Sequence, residues 1–221
     1  MRFRALATDF DETLADRAHV ARNTLLALAR FQNRNGRLVL VTGRELPALR
    51  EVFPHLERFD CVVLENGALL YVPSTGCEKV LARRPPAAFV RSLHRLGVTP
   101  ISVGRCVVAT VRTHEKLVRK AIREHRLKLR VILNRESLMI LPAGVDKGSG
   151  LKAALAQLQL SPSQVAGIGD AENDSAFLRR CGFSMAVANA IPTLKKQVDL
   201  VTTTETGDGV IEAIETLLGQ H

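Results

Sequence analysis

Short runs of continuous apolar residues, separated by segments with helical periodicity, constrain the fold of this 221-residue chain more than any other feature. Five such runs have the length of buried strands, at residues 5–10, 38–41, 61–64, 165–168 and 184–187. Helical segments lie between or after them, at residues 22–34, 45–52, 150–159, 174–181 and 210–218. Continuous apolar strands that alternate with helices are typical of a parallel sheet covered on both faces. The sequence therefore predicts an α/β core.

The pattern changes between residues 77 and 142. Helical segments at residues 86–96 and 114–125 each precede two strand-like segments, at 98–103 with 105–113 and at 127–133 with 137–141. Gly104 and Asn134-Arg135-Glu136 mark the turns of two hairpins. This αββαββ order indicates a small α+β domain whose helices cover one face of an antiparallel sheet and leave the other face open. We predict a core of residues 1–76 and 143–221 and an inserted domain of residues 77–142.

Positive charge is concentrated in the inserted segment. Residues 77–142 contain 15 Lys and Arg against 4 Asp and Glu, whereas the rest of the chain contains 16 against 18. Such a segment suggests a ligand with an anionic group. Strand alternation favours Arg112 and Arg130 on the open face, in contact with the substrate. Nucleic-acid binding is the competing interpretation, but Phe89 is the only aromatic residue of the segment, so it offers almost no platform for base stacking.

The cysteines suggest neither disulfides nor a zinc site. Cys61, Cys77, Cys106 and Cys181 are scattered without a paired spacing, which favours reduced thiols in a cytoplasmic protein. The six histidines are equally dispersed. We see no secretion signal and no membrane-spanning run, and we expect no membrane partner. Monomer and homodimer are equally open.

Polar residues follow three of the predicted strands and the end of the inserted segment. Asp9 and Asp11 come after the apolar residues 5–8 of the first strand, Thr42-Gly43-Arg44 after the second strand, and Gly169-Asp170-Ala171-Glu172-Asn173-Asp174 after the fourth, while Lys147 lies just beyond the insertion. Ligands of open parallel sheets bind beyond the carboxyl ends of the strands. Asp9 and Asp11 also leave their strand on the same side, and two acids so close require a cation or a shared proton.

Each of these groups has an ordinary structural interpretation when it is taken singly. Thr42 could cap a helix, Lys147 could be a solvated lysine, and Asp170 and Asp174 could form a turn and begin a helix. Together, a carboxylate cluster, a hydroxyl and a cation at one sheet edge favour phosphoryl transfer. Asp9 and Asp170 could supply the hard oxygen ligands that Mg²⁺ prefers. A carboxylate can also attack phosphorus while a second carboxylate moves the proton.

The ordered set of motifs resembles the haloacid dehalogenase (HAD) superfamily, and within it the Cof-type branch of small-molecule phosphatases (subfamily IIB), which also holds the sucrose-phosphate phosphatases. Asp9-x-Asp11-x-Thr13, Thr42-Gly43-Arg44, Lys147 and Gly169-Asp170-x-x-Asn173-Asp174 resemble its four motifs in order. Further similarity lies in Glu65-Asn66-Gly67-Ala68, Ala186-Val187-Ala188-Asn189-Ala190 and Gly207-Asp208-Gly209-Val210. The resemblance implies a Rossmann-like core with a small cap inserted between the second and third motifs.

Carried over residue by residue, the resemblance implies roles for the residues at the sheet edge. Asp9 would be the nucleophile and a Mg²⁺ ligand, and Asp11 the general acid and base, with its backbone carbonyl on the metal. Asp170 would bind the metal, and Asp174 would bind it through water or orient Lys147. The phosphoryl group and substrate would be held by Thr42, Gly43, Asn66, Lys147 and Asn173. Glu12 departs from the family, which usually has Gly there, and could alter the turn or the entry of the leaving group.

We therefore expect Mg²⁺-dependent hydrolysis of a small phosphomonoester, a sugar phosphate or a phosphorylated acid with an anionic leaving group, through an aspartyl-phosphate. Phosphoryl transfer to a sugar, as in related mutases, is the alternative within the same chemistry. A basic nucleic-acid-binding module and a catalytically inactive regulatory protein are the alternatives outside it. The complete set of active-site groups disfavours an inactive protein.

Overall fold

A computed structural model of the chain describes residues 2–134 and 136–219. Twelve strands lie in this part of the chain: β1 (Ala5–Thr8), β2 (Arg37–Val41), β3 (Cys61–Leu64), β4 (Leu69–Val72), β5 (Cys77–Val80), β6 (Ser102–Val103), β7 (Val108–Val111), β8 (Leu129–Asn134), β9 (Ser137–Pro142), β10 (Val165–Gly169), β11 (Phe183–Ala186) and β12 (Leu200–Val201). The α-helices of the same residues are α1 (Arg22–Asn33), α2 (Leu46–Val52), α3 (Ala87–Arg95), α4 (Glu115–Glu124), α5 (Lys147–Leu158), α6 (Ser175–Leu178), α7 (Pro192–Lys195) and α8 (Thr206–Gly219). Among the described helices, none has the length and apolar character needed to cross a membrane.

The larger sheet has eight strands in the order β12-β11-β10-β1-β2-β3-β4-β5. The first six in this order are parallel, and β4 and β5 extend the sheet as an antiparallel hairpin. Every residue of β1, β3 and β10 is buried, so both faces of the sheet must be covered. Helix α1 packs on α8, whereas α5 packs on α6 and on β2 and β3. The predicted α/β fold with a mainly parallel core is confirmed.

The hairpin of β4 and β5 differs from the prediction. The sequence assigns residues 77–80 to the inserted segment, whereas the structure pairs them with β4 of the larger sheet, from Leu69↔Val80 to Val72↔Cys77. All four residues of β5 are exposed at the sheet edge. They lack the apolar continuity by which a buried strand is recognised in a sequence. The placement of this strand is thereby corrected, while the division into two domains stays a prediction.

The smaller sheet has four antiparallel strands in the order β6-β7-β9-β8. With α3 and α4 it forms residues 87–142, called the cap here, in the predicted αββαββ order. An apolar cluster joins both helices to one face of this sheet and comprises Phe89, Leu93, Val98, Val108, Val118, Ala121, Leu138 and Ile140. The first hairpin is shorter than predicted, since β6 covers only Ser102–Val103. Arg135, in the predicted turn of the second hairpin, lies outside the described residues.

The buried carboxylate of Glu65 joins the core to the cap. Its Oε1 accepts a hydrogen bond from the backbone N–H of Arg105 at 3.0 Å, and its Oε2 accepts from Cys106 and Val107 at 2.7 and 2.8 Å. The face of the smaller sheet that was predicted to be open lies against the core. There a second apolar cluster includes Ala68, Cys106, Val107, Ile132 and Leu141.

One of the four cysteines is exposed on the surface of the native protein. Burial raises the pKa of the Cys61 thiol to about 12, of Cys106 to about 11 and of Cys181 to about 12, whereas Cys77 is exposed on β5. Because the thiolate is the reactive form, we expect iodoacetamide to add one group rapidly to the native protein and four to the unfolded protein. Mass spectrometry checks this, with Cys77→Ser as the control that removes the fast adduct. Two or more fast adducts on the native protein would contradict it.

Candidate active site

The carboxyl ends of β1, β2 and β10 meet at the centre of the larger sheet. Strand β1 lies between β10 and β2, so the chain order reverses there and the segments that follow these strands converge on one edge. Asp9 follows β1, Thr42 follows β2 and Asp170 follows β10. Lys147 reaches the same edge as the first residue of α5. The structure thus brings together the four groups that the sequence places at the strand ends.

The ammonium group of Lys147 links two buried carboxylates. Its Nζ donates to Asp9 Oδ1 at 2.6 Å and to Asp174 Oδ1 at 2.5 Å. Burial alone would lower the pKa of Lys147, but the charges of Asp174 and Asp9 outweigh it and raise that pKa above its usual value. Burial and the charge of Asp174 raise the pKa of Asp9 well above its ordinary range, although Lys147 opposes them. Burial thus disfavours the charged form of the Asp9 carboxylate even beside an ammonium group.

Asp174 is held by the loop that follows β10. Its Oδ2 accepts hydrogen bonds from the backbone N–H groups of Asp170 and Ala171, both at 2.9 Å. Asp170 Oδ1 accepts in turn from the hydroxyl of Thr13 at 3.0 Å. The loop after β10 is therefore tied to the turn after β1, which fixes the carboxylates relative to one another.

Three of the four predicted metal ligands form a cluster suited to a divalent cation. Asp9, Asp170 and Asp174 each present a carboxylate oxygen within 4.8 Å of the other two, and all three are buried. In the described part of the chain Lys147 contacts two of these three carboxylates, Asp9 and Asp174, and carboxylate oxygens are the donors that a hard divalent cation prefers. The residues present therefore fit such an ion. The carboxylate of Asp11 is not part of this cluster, and the role of its carbonyl stays a prediction.

Asp11 lies beside the cluster and pairs with Arg44. The Arg44 Nε donates to both carboxylate oxygens at 3.0 Å, and its Nη2 donates to Oδ1 at 2.6 Å. The guanidinium carbon lies 5.5 Å from the centroid of the Phe10 ring. Both charged side chains are partly exposed. Asp11, the predicted general acid and base, is therefore partly accessible to solvent, but its carboxylate is paired with the guanidinium of Arg44.

Asn66 connects the site to the cap. It is buried directly after β3, with left-handed backbone angles (φ 53°, ψ 37°). Its Oδ1 accepts from Asn173 Nδ2 at 3.0 Å, and its amide nitrogen contacts the sulfur of Met139 in β9. Its backbone N–H donates to the Thr42 carbonyl at 3.1 Å, and a Cβ atom on Gly43 would lie 3.1 Å from its Nδ2. Thr42, Gly43 and Asn173, which the resemblance assigns to the phosphoryl group, are thus all neighbours of Asn66.

Glu12 adopts the turn geometry that the usual Gly would favour. Its φ is 58°, in the left-handed region where a side chain costs about 1 kcal/mol. Its carbonyl accepts from Asn189 Nδ2 at 2.7 Å, and Asn189 Oδ1 accepts from the Thr206 N–H at 2.9 Å. Asn189 therefore stabilises the turn and connects it to the start of α8.

A cleft of about 500 Å³ opens at this edge, between the core and the start of β9. Its lining comprises Asp9, Asp11, Glu12, Gly43, Arg44, Glu136, Ser137, Met139 and Asp170. Five of these residues are acids, and Arg44 is the one cation in the described lining. The described lining therefore has an excess of negative charge, which opposes the binding of a phosphate group unless a cation offsets it.

Arg112 and Arg130 lie in a second cleft, of about 380 Å³, between the cap and the core. We call it the arginine cleft, after the lining residues Arg112, Arg119, Arg130 and Arg179. Arg130 faces the core and pairs with Asp146 at 3.0 Å. Strand β7 ends at Val111, so the alternation used to place Arg112 does not extend to it. Neither arginine lines the cleft of Asp9, and their contact with the leaving group stays a prediction.

Four residues of the site were not assigned a role from the sequence. Arg44 and Thr13 lie inside recognised motifs, and Glu65 lies in the segment next to Asn66, so their positions in these motifs were an available signal. In the sequence, Met139 cannot be distinguished from other apolar residues of a strand. Its contact with Asn66 depends on how the cap packs on the core, which no local pattern shows.

A comparison with known protein families accounts for this combination of fold and site. Residues 6–96 and 101–214 match the family of haloacid dehalogenase-like hydrolases. The chain belongs to this family. The predicted superfamily and the prediction of an enzyme are thereby confirmed. The match extends over the core and the cap alike.

Relatives with assigned activities match the chain over nearly its whole length. Phosphoglycolate phosphatase 2 of Saccharolobus solfataricus is 32% identical over 96% of this chain and 91% of its own. A phosphoglycolate phosphatase of Aeropyrum pernix is 32% identical over 98% of this chain and 94% of its own. The phosphatase class predicted from the motifs agrees with both.

Solved structures share the fold. A haloacid dehalogenase-like hydrolase from Bacteroides thetaiotaomicron has a TM-score of 0.82 at 20% identity and covers 97% of this chain and 99% of its own. A HAD subclass IIB sugar phosphatase has a TM-score of 0.81 at 17% identity and covers 97% of this chain and 98% of its own. At these identities the likeness concerns the arrangement of core and cap.

Proposed function

We propose that this chain hydrolyses a small phosphorylated carboxylic acid, with 2-phosphoglycolate as the first substrate to test, in a Mg²⁺-dependent reaction through an aspartyl-phosphate on Asp9. The observation that carries the proposal is the Lys147 ammonium between the buried carboxylates of Asp9 and Asp174, beside Asp170. This arrangement orients a nucleophilic carboxylate and offsets part of the charge that a phosphoryl group adds. Relatives named phosphoglycolate phosphatase support the substrate class.

Two carboxylates share the chemistry in this mechanism. Asp9, Asp170 and Asp174 would hold Mg²⁺, which would neutralise charge on the phosphoryl oxygens. Lys147 holds Asp9 Oδ1, and Asp9 Oδ2 attacks phosphorus while the bond from phosphorus to the leaving oxygen breaks. Asp11 donates a proton to that leaving oxygen. Asp11 then takes a proton from water, whose oxygen attacks the aspartyl-phosphate, so that inorganic phosphate leaves and Asp9 regains its carboxylate.

Neutral groups beside the carboxylates orient the phosphoryl group. In our proposal the Thr42 hydroxyl and the Gly43 backbone N–H donate to its oxygens, together with Lys147. Asn66 lies behind Thr42 and Gly43 and contacts Asn173 at 3.0 Å, so we propose that both amides support the phosphoryl site. Residues at the start of β9 cover the leaving-group side and exclude water from it.

Arg44 is our candidate for recognition of the leaving group. Its guanidinium is the cation of the described cleft lining and contacts Asp11. A carboxylate on the leaving group is an alternative partner with the same two-oxygen geometry. Binding of phosphoglycolate would draw Arg44 away from Asp11, so that Asp11 can take up a proton from water and pass it to the leaving oxygen.

Phosphate release should require a divalent cation and should favour a carboxylate on the leaving group. We expect kcat/KM with Mg²⁺ to be about 10- to 100-fold higher for 2-phosphoglycolate than for 2-hydroxyethyl phosphate. This ratio corresponds to the free energy of one charge-assisted hydrogen-bonded pair. EDTA should abolish both activities, and Mg²⁺ should restore them. Arg44→Gln should remove the preference, whereas Arg91→Gln on the exposed face of α3 should retain it.

The same assay contains the outcomes that would reject the proposal. Equal rates on the two esters, or an unchanged ratio in Arg44→Gln, would reject the role of the carboxylate. Release that survives EDTA would reject the metal. Release that appears only after a sugar acceptor is added would favour a mutase over a hydrolase.

We also propose a cytoplasmic location, which the four free cysteines support. Monomer and homodimer both stay open.

A further inference from the structure

The arginine cleft brings guanidinium groups from both parts of the molecule together. Three of its four arginines belong to the cap, and Arg179 follows α6 in the core. Asp146 and Glu172 are the two acids of the described lining, so the cleft has an excess of two positive charges. The cleft of Asp9 has the opposite balance. An anion can therefore bind in the arginine cleft without a metal ion.

The carboxylate of Asp146 is already satisfied by other groups. Its Oδ1 accepts from the Ser149 N–H at 2.9 Å at the start of α5, and its Oδ2 pairs with Arg130 at 3.0 Å. Arg119 pairs with Glu115 on its own helix at 2.8 Å, in a partly exposed contact of low stability. Arg119 can exchange that partner for a more highly charged anion at little cost.

Backbone and amide groups complete the walls of the cleft. Strand β8 is an edge strand with β9 as its neighbour, and its residues Val131, Ile132 and Leu133 line the cleft. The outward N–H groups of an edge strand are donors for an anion. On the core side lies buried Asn173, whose Oδ1 lacks a hydrogen-bond partner among the described residues. This oxygen can accept from the P–OH of a partly protonated phosphate group.

We propose that the arginine cleft is a second anion site, and that it takes a small polyanion with two phosphate-like groups. Its volume of about 380 Å³ holds such a molecule together with bridging water. Two anionic groups are favoured over one because the arginines lie on both the cap and the core. The bound polyanion thus bridges the two parts of the chain.

Calorimetric titration with methylenediphosphonate, whose P–C–P link resists hydrolysis, tests the site. The titration is done in EDTA, so that the catalytic cleft has no metal to hold the probe. We expect one site per chain, and at least about tenfold weaker binding in Arg119→Ala/Arg179→Ala, which removes two charge-assisted contacts. Lys116→Ala/Arg123→Ala removes the same charge from α4 outside the described lining and should retain the affinity.

Several results would overturn the proposal. One is the absence of binding, and another is equal weakening in the two double variants, which would indicate general attraction to a basic surface. A raised KM for 2-phosphoglycolate in Arg119→Ala/Arg179→Ala would assign the cleft to the substrate. Preferential, salt-sensitive binding of a single-stranded oligonucleotide, lost in the same variant, would assign it to nucleic acid. Because binding is measured without metal, the titration results are independent of the proposed phosphatase activity, and only the KM comparison depends on it.

Discussion

Asp9→Asn is expected to lower kcat for phosphate release from 2-phosphoglycolate by at least about a thousandfold, because the amide cannot attack phosphorus. The fold should survive. Asparagine has nearly the same shape as aspartate, and Lys147 keeps its contact with Asp174 at 2.5 Å. The variant also removes one of three clustered carboxylates, so a more weakly bound metal should accompany the loss of activity.

Two measurements separate loss of the nucleophile from general damage. Acid quenching during turnover of ³²P-labelled substrate should trap the wild-type protein with a covalent ³²P label. Hydroxylamine should release this label, because it cleaves acyl phosphates. Asp9→Asn should carry no label. Asp199→Asn is the control, since Asp199 is an exposed acid that binds Ser184 far along the chain from the site. Retention of a tenth of the activity in Asp9→Asn would reject the assigned nucleophile.

Gly67→Ala is expected to lower the free energy of unfolding by about 2–5 kcal/mol, the sum of a left-handed alanine and an overpacked contact. Gly67 has a φ of 98°, and a Cβ atom there would lie 1.9 Å from the carbonyl oxygen of Asp146. Asp146 is the N-cap of α5, which begins at Lys147. The substitution should therefore displace Lys147 from Asp9 and reduce activity in the protein that still folds.

Gly76→Ala is the matched control for this effect. Gly76 also has a positive φ, of 68°, but a Cβ atom there would meet nothing within 4 Å. Gly76→Ala should therefore lower the free energy of unfolding by about 1 kcal/mol, through the strain of a left-handed backbone alone. Urea denaturation of both variants measures the difference. Equal losses of stability would show that the turn at Gly67 can move away from α5 and would contradict the expectation.

The buried part of the fold could be predicted because each buried parallel strand is a continuous apolar run, which can be recognised without knowledge of its neighbours. The predicted strand at residues 61–64 coincides with β3, and the one at 38–41 differs from β2 by a single residue. β1 ends two residues earlier than predicted, because Asp9 and Phe10 already belong to the turn at the site. By contrast, β5 and β12 are short strands at the two sheet edges. Their pairing depends on a neighbouring strand, which a local pattern cannot represent.

The catalytic groups could be predicted for a different reason, since the motifs that carry them are ordered along the chain. Their mutual contacts could not. The pair of Asp11 with Arg44 forms across the ends of β1 and β2 and is visible only when both turns are in place. Arg112 and Arg130 illustrate the limit of strand alternation. Their surroundings depend on where β7 ends and on which core residues lie opposite β8.

The three hydrogen bonds to Glu65 have a consequence for how the molecule unfolds. Separation of the cap from the core would replace these three hydrogen bonds to a carboxylate by hydrogen bonds to water, and each such bond contributes a net stability of about 1.5–3 kcal/mol. A partly unfolded state with a detached cap is therefore much less stable than the native state. We infer that core and cap form one cooperative unit, and that access to the catalytic cleft depends on small local fluctuations of the β8–β9 end rather than on release of the whole cap.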